Sequence, residues 1–191
     1  MNDIQQILDE FKKIKEIEYI FLAGSKKDSL IVRPGEDLDI FLYAKKATPE
    51  IVDKLENVAK KHPKYYFEFR SGPLKHESKP QLHVLLNDFD RLNQNVTKYL
   101  MGHRGIKIKG GKFQNISKPS LKEYSETFFT PEVVSKLIKD KEIAYQIWKE
   151  TNNGFKKVTI TEKATDHELK VLKSFLRNIT KIVEELKNGK S

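Results

Sequence analysis

The chain contains no cysteine. Disulfide bonds and thiolate metal sites are therefore excluded, and a reducing, cytoplasmic compartment is the expectation. No apolar run approaches the roughly 18 residues needed to span a bilayer, so no membrane partner is expected. The N-terminal stretch Met1-Asn2-Asp3-Ile4-Gln5-Gln6 is polar and lacks the apolar segment of a signal peptide. There is no repeat, and no low-complexity tract beyond the short polar tail Lys187–Ser191.

What is present fits a globular but highly charged protein. Of 191 residues, 38% are hydrophobic and 33% charged, which suits one domain or a small domain with a helical extension. The net charge of +9 fits a polyanionic partner such as a nucleotide or RNA, and equally a solvated lysine-rich surface.

Apolar periodicity orders the chain. Ile4, Ile7, Leu8, Phe11 and Ile14 predict an amphipathic helix over 3–16. Strands are expected at 18–23 and 37–43. Thr48-Pro49-Glu50 marks the start of a helix carrying Ile51, Leu55 and Val58. Tyr65–Arg70 and Leu82–Leu86, separated by the turn-rich 72–80, read as a β-hairpin with a long loop. Asp90 marks a helix that stops at Gly102, and a short strand follows at 106–109. From Thr130-Pro131 onward two helices are expected. The first carries Val133 to Trp148 and is broken at Asn152-Asn153-Gly154. The second starts at Asp166 and bears Leu169 to Leu186. Their apolar faces must pack on each other or on a partner, which leaves a homo-oligomer open.

One motif carries chemistry. The apolar strand Ile20-Phe21-Leu22-Ala23 runs into Gly24-Ser25. After a polar loop comes Asp37-Leu38-Asp39-Ile40-Phe41-Leu42. Strand side chains alternate, so Asp37 and Asp39 share one face while Leu38, Ile40 and Leu42 share the other. Paired carboxylates on one strand face suit Mg²⁺ or Mn²⁺, which also take phosphate oxygens. Gly24 and Ser25 offer backbone N–H groups and a hydroxyl to an anion, and Lys26 and Lys27 follow within reach of a triphosphate.

This pattern resembles the DNA polymerase beta superfamily of nucleotidyltransferases, in particular the minimal nucleotidyltransferases and the catalytic domain of archaeal CCA-adding enzymes. The resemblance covers roughly residues 18–110, and the basic segment His103–Gly110 is similar to one that ends many such domains. It implies an α+β fold with a small mixed sheet flanked by helices over 1–118, followed by a helical C-terminal domain over 119–191. It implies transfer of a nucleoside monophosphate from an NTP, ATP first, to a hydroxyl on an RNA, a small molecule or a protein. Asp37 and Asp39 would hold two Mg²⁺ or Mn²⁺ ions, with Gly24, Ser25 and Lys26 at the nucleotide.

The family places a third carboxylate on a later strand, and two positions here compete for it. Leu82-His83-Val84 puts His83 where the CCA-adding pattern has Asp. The spacing of minimal enzymes favours Glu68. A hairpin pairing Phe67 with Val84 and Phe69 with Leu82 sets Glu68 opposite His83, either as a metal ligand and general base or as a polar pair on a solvated face. If the third carboxylate is lost, the chain is a nucleotide-binding, antitoxin-like module. An RNA-binding protein with a structural acidic strand is the other rival. His62, His76 and His167 read as surface residues, and Trp148 and Phe175 as core.

Overall fold

The computed structural model describes residues 3–69, 78–113, 116–152 and 154–188. The chain opens with α1 (Asp3–Lys13), whose Ile4, Ile7, Leu8 and Phe11 form a buried stripe. β1 (Ile17–Ala23), β2 (Asp37–Ala44), α2 (Pro49–Lys61), β3 (Tyr66–Glu68) and β4 (Gln81–Asp88) follow. Then come α3 (Phe89–Asn93), α4 (Asn95–Arg104) and β5 (Ile106–Lys109). The C-terminal part holds α5 (Leu121–Thr127), α6 (Pro131–Asp140), β6 (Glu142–Thr151), β7 (Gly154–Lys163) and α7 (Asp166–Lys187). The architecture is α+β. Among the described residues, no helix is long and apolar enough to cross a membrane.

Five strands form one mixed sheet in the order β3-β4-β2-β1-β5. β1 is antiparallel to β2 and β5, whereas β2 runs parallel to β4. Along β2, Leu38, Ile40 and Leu42 are fully buried in the core formed with α1 and α2. Each such burial contributes roughly 1.5–3 kcal/mol, and a one-residue slip would turn all three to the other face. The register that places the aspartates is therefore held by the apolar face behind them.

The opposite face has its own core. Phe21 and Tyr43 pack there with Leu92, Val96, Leu100, Met101 and Tyr124. Helices thus cover both faces. The second face carries enough aromatic surface, Tyr19 and Phe21 on β1 with Phe41 and Tyr43 on β2, to recruit α3 and α4. These two helices replace the single one expected. The first is capped at Asp88 rather than Asp90, and the second continues through Gly102 to Arg104.

Two expectations are corrected. β3 and β4 are parallel, not an antiparallel hairpin, with Phe67 beside Leu82 and Glu68 beside His83. Residues 69–80 are long enough to return the chain to the same end of the sheet, as parallel neighbours require. Residues 70–77, including His76 and most of the expected loop, lie outside the described residues. The Glu68–His83 pairing is common to both registers, and in the parallel one it is the last pair of β3.

The second correction concerns the C-terminal part, which is not wholly helical. The helix from Pro131 ends at Asp140, where Lys141 turns left-handed at φ +52°. Residues 142–151 and 154–163 then pair as an antiparallel hairpin, from Glu142↔Lys163 to Thr151↔Gly154. Ile143 and Tyr145 are buried at strand alternation. Their neighbours are rich in β-branched and aromatic residues, which favour a pleated surface over a helix.

Candidate metal centre and its cavity

The acid face of the sheet carries a row of functional groups. Ala23 pairs with Asp39, Asp39 with His83, and Glu68 with His83, so one line crosses β1, β2, β4 and β3. Asp37 lies two residues along β2 on the same face. Asp37, Asp39 and His83 each present a ligand atom, and all these atoms lie within 4.8 Å of one another. His83 Nδ1 is 3.1 Å from Asp39 Oδ1 and 3.5 Å from Asp37 Oδ2. The imidazole is buried, while the Asp37 side chain is 43% exposed, so the cluster opens to solvent on the Asp37 side.

Electrostatics follow from this packing. Burial and the neighbouring Asp39 charge push the Asp37 carboxyl above its ordinary range, and His83 only partly offsets them. For His83, burial alone disfavours the charged ring. The hydrogen bond to Asp39 and the charges of Asp39, Asp37 and Glu68 outweigh it and hold its pKa above the usual histidine value.

Gly24 follows directly after Ala23 with φ +79°, and a Cβ built on it would lie 3.1 Å from Asp39 Oδ2. A side chain at this position would crowd the carboxylate and strain the turn. Ser25 is exposed beside it. Lys26 is less available than the sequence suggests, since its Nζ pairs with Glu36 Oε1 at 2.7 Å. Lys27 donates to the Arg104 carbonyl at 2.6 Å. Glu68 is buried next to His83 and accepts from the Tyr66 hydroxyl at 3.4 Å, but it is not part of the three-residue cluster.

The basic segment His103–Gly110 makes structural contacts. Arg104 pairs with Glu185, Lys107 donates to the Gly111 carbonyl, and Lys109 donates to the Lys12 and Ile14 carbonyls. His62 binds Glu10 at 2.9 Å and joins α2 to α1.

Gln81 was not legible as a site residue. It is fully buried, and its side-chain amide lies against His83 Nε2. Its Oε1 has no hydrogen-bond partner among the described residues. Turning the amide over would set that oxygen against a protonated Nε2. This is the outer-sphere support a histidine needs when its other nitrogen holds a metal. The orphaned carbonyl oxygen therefore fits a metal on Nδ1.

The acids stand at one end of a cavity of about 490 Å³ between the sheet and the C-terminal elements. Asp37, Asp39, Phe41 and Tyr43 of β2 and His83, Leu85 and Asn87 of β4 form its floor. Phe128, Leu172 and Phe175 line the roof, and Arg91 and Lys157 also reach it. A wider groove of about 880 Å³ along α1 and α2 holds charges that already pair with each other, such as Lys61 with Glu10 at 2.6 Å.

Comparison with family models, curated proteins and solved structures finds no match to this chain, so its site is read on its own geometry.

Proposed function

We propose that this protein is a metal-dependent nucleotidyltransferase. It moves a nucleoside monophosphate from an NTP, ATP first, to a hydroxyl and releases pyrophosphate. The observation that carries the reading is the convergence of Asp37, Asp39 and His83 within 4.8 Å, directly beside the left-handed turn at Gly24. Two carboxylates with an imidazole suit Mn²⁺ at least as well as Mg²⁺, because imidazole favours the transition metals. A divalent ion held by these residues supplies charge to phosphate oxygens and acidity to the acceptor hydroxyl.

The chain's own groups do the rest. The Gly24-Ser25 turn offers its N–H groups and hydroxyl to the triphosphate. The acceptor oxygen bonds to the α-phosphorus. The bond from that phosphorus to the bridging oxygen breaks, and pyrophosphate leaves with the electron pair. The acceptor proton leaves by way of water on the open Asp37 side of the cluster, where that side chain is 43% exposed. His83 orients Asp39, Gln81 orients His83, and Glu68 acts on His83 through its charge.

One observation favours a second reading, a nucleotide- or RNA-binding module of weakened activity: a histidine stands where the resemblance leads to a carboxylate.

Calorimetric titration with ATP tests the site. Binding should tighten when Mn²⁺ is present. The double variant Asp37→Asn, Asp39→Asn should lose that gain while its thermal unfolding stays cooperative. An undiminished Mn²⁺ effect in the double variant would overturn the assignment.

A further inference from the structure

We propose that Arg91 and Lys157 form a phosphate-binding site at the end of the cavity remote from the aspartates, and that it takes the phosphate monoester of a small organic acceptor. The acceptor role rests on the transferase reading above; the phosphate site itself does not.

The two cations are set apart by what they touch. Lys157 Nζ donates to Asn87 Oδ1 at 2.9 Å and to the Leu86 carbonyl at 3.4 Å. Arg91 Nη2 donates to the Thr127 carbonyl at 3.0 Å. All three acceptors are neutral, and neither cation has a carboxylate within ion-pairing distance among the described residues. Asp88, whose charge acts on Lys157, accepts from the Ala47 N–H at 2.6 Å. Glu126 also lines the cavity and pairs with neither cation. An ammonium has three donors and a guanidinium five, so hydrogens remain on both. Burial and the Arg91 charge push the Lys157 pKa down to about 8, the mark of a cation that lacks its counter-ion. Thr97 lines the same cavity, is 1% exposed, and its hydroxyl has no partner among the described residues. Two half-buried cations and an unsatisfied hydroxyl in one cavity match the dianion and acceptor oxygens of a phosphate.

Register gives the reach. Asn87, which holds Lys157, lies opposite Tyr43, and His83 lies opposite Asp39. Four residues of strand separate these pairs, about 13 Å. That distance is too long for the β- or γ-phosphate of a nucleotide whose α-phosphorus sits at the aspartates. The phosphate therefore belongs to the second substrate. Phe41 and Leu85 on the floor give its body an apolar path. A cavity of about 490 Å³ is of small-ligand size.

The test uses the full chain, metal-free, with backbone amide NMR. Inorganic phosphate should shift the amides of residues 90–92 and 156–158 and leave those of 36–40 in place. Phenyl phosphate should bind about tenfold tighter by adding apolar contact, and acetate at least tenfold weaker. Lys157→Gln, which keeps a donor for Asn87, should weaken phosphate at least tenfold while folding normally. The Asp37→Asn, Asp39→Asn variant should bind it undiminished, even if transfer activity is never found. Shifts confined to 24–40, equal binding of acetate, or no effect of Lys157→Gln would overturn the site. Displacement of phosphate by a 5′-phosphorylated RNA oligomer at lower concentration than by phenyl phosphate would overturn the small-molecule assignment.

Discussion

Gly24 joins the sheet to the site through a backbone angle only glycine adopts easily. At φ +79° an alanine costs about 1–2 kcal/mol, and its Cβ would press on Asp39 Oδ2 from 3.1 Å. Gly24→Ala should therefore lower urea stability by that amount and weaken Mn²⁺ binding. A mere stability loss with unchanged metal affinity would separate Gly24 from the site. At this scale the aspartates were legible, because strict alternation of Leu38, Ile40 and Leu42 fixes the face on which Asp37 and Asp39 must lie. His83 was placed beside Glu68 through an antiparallel pairing that the parallel register replaces, and Glu68 stands outside the three-residue cluster. Gln81, Arg91 and Lys157 were not legible. A glutamine next to a histidine in space, or two cations from α3 and β7 meeting in one cavity, leaves no local pattern in the chain.

The hairpin β6–β7 has a defined structural task. β3 covers only the start of β4, so beyond His83 that edge lacks a strand neighbour among the described residues. Trp148 Nε1 donates to the Leu86 carbonyl at 2.9 Å, its ring stacks on Phe155 at 5.1 Å, and Lys157 reaches the same carbonyl. The hairpin thus satisfies part of an open edge and brings Lys157 into the cavity. Trp148→Phe keeps the ring stack but removes the donor. It should cost about 1 kcal/mol in chemical denaturation, and no change would mean the hairpin docks through other contacts. The first strands were readable because their apolar runs are short and bounded by turns. The hairpin was not, because Ala144, Ile147 and Trp148 continue the spacing of Val134 and Leu137 and mimic one helical stripe. Burial of Ile143 and Tyr145 at period two decides for the strand only once the sheet is there to pack on.

For the whole molecule, the excess charge of +9 is not one binding surface. Many lysines pair locally, whereas Arg91 and Lys157 stand in a cavity whose other end is acidic. The resulting gradient, with groups that could hold a metal at one end and cations at the other, would orient the proposed two-substrate reaction along β2 and β4. The proposed reaction transfers the α-phosphoryl group at the aspartates. Its most direct measurement incubates the protein and Mn²⁺ with α-labelled and γ-labelled NTPs, offering small phosphate monoesters, bulk tRNA and the protein itself as acceptors. Label from the α-position alone should enter an acceptor, with matching pyrophosphate release, and Asp37→Asn, Asp39→Asn should abolish both. Transfer of the γ-label, or α-label transfer that survives the double substitution, would contradict it.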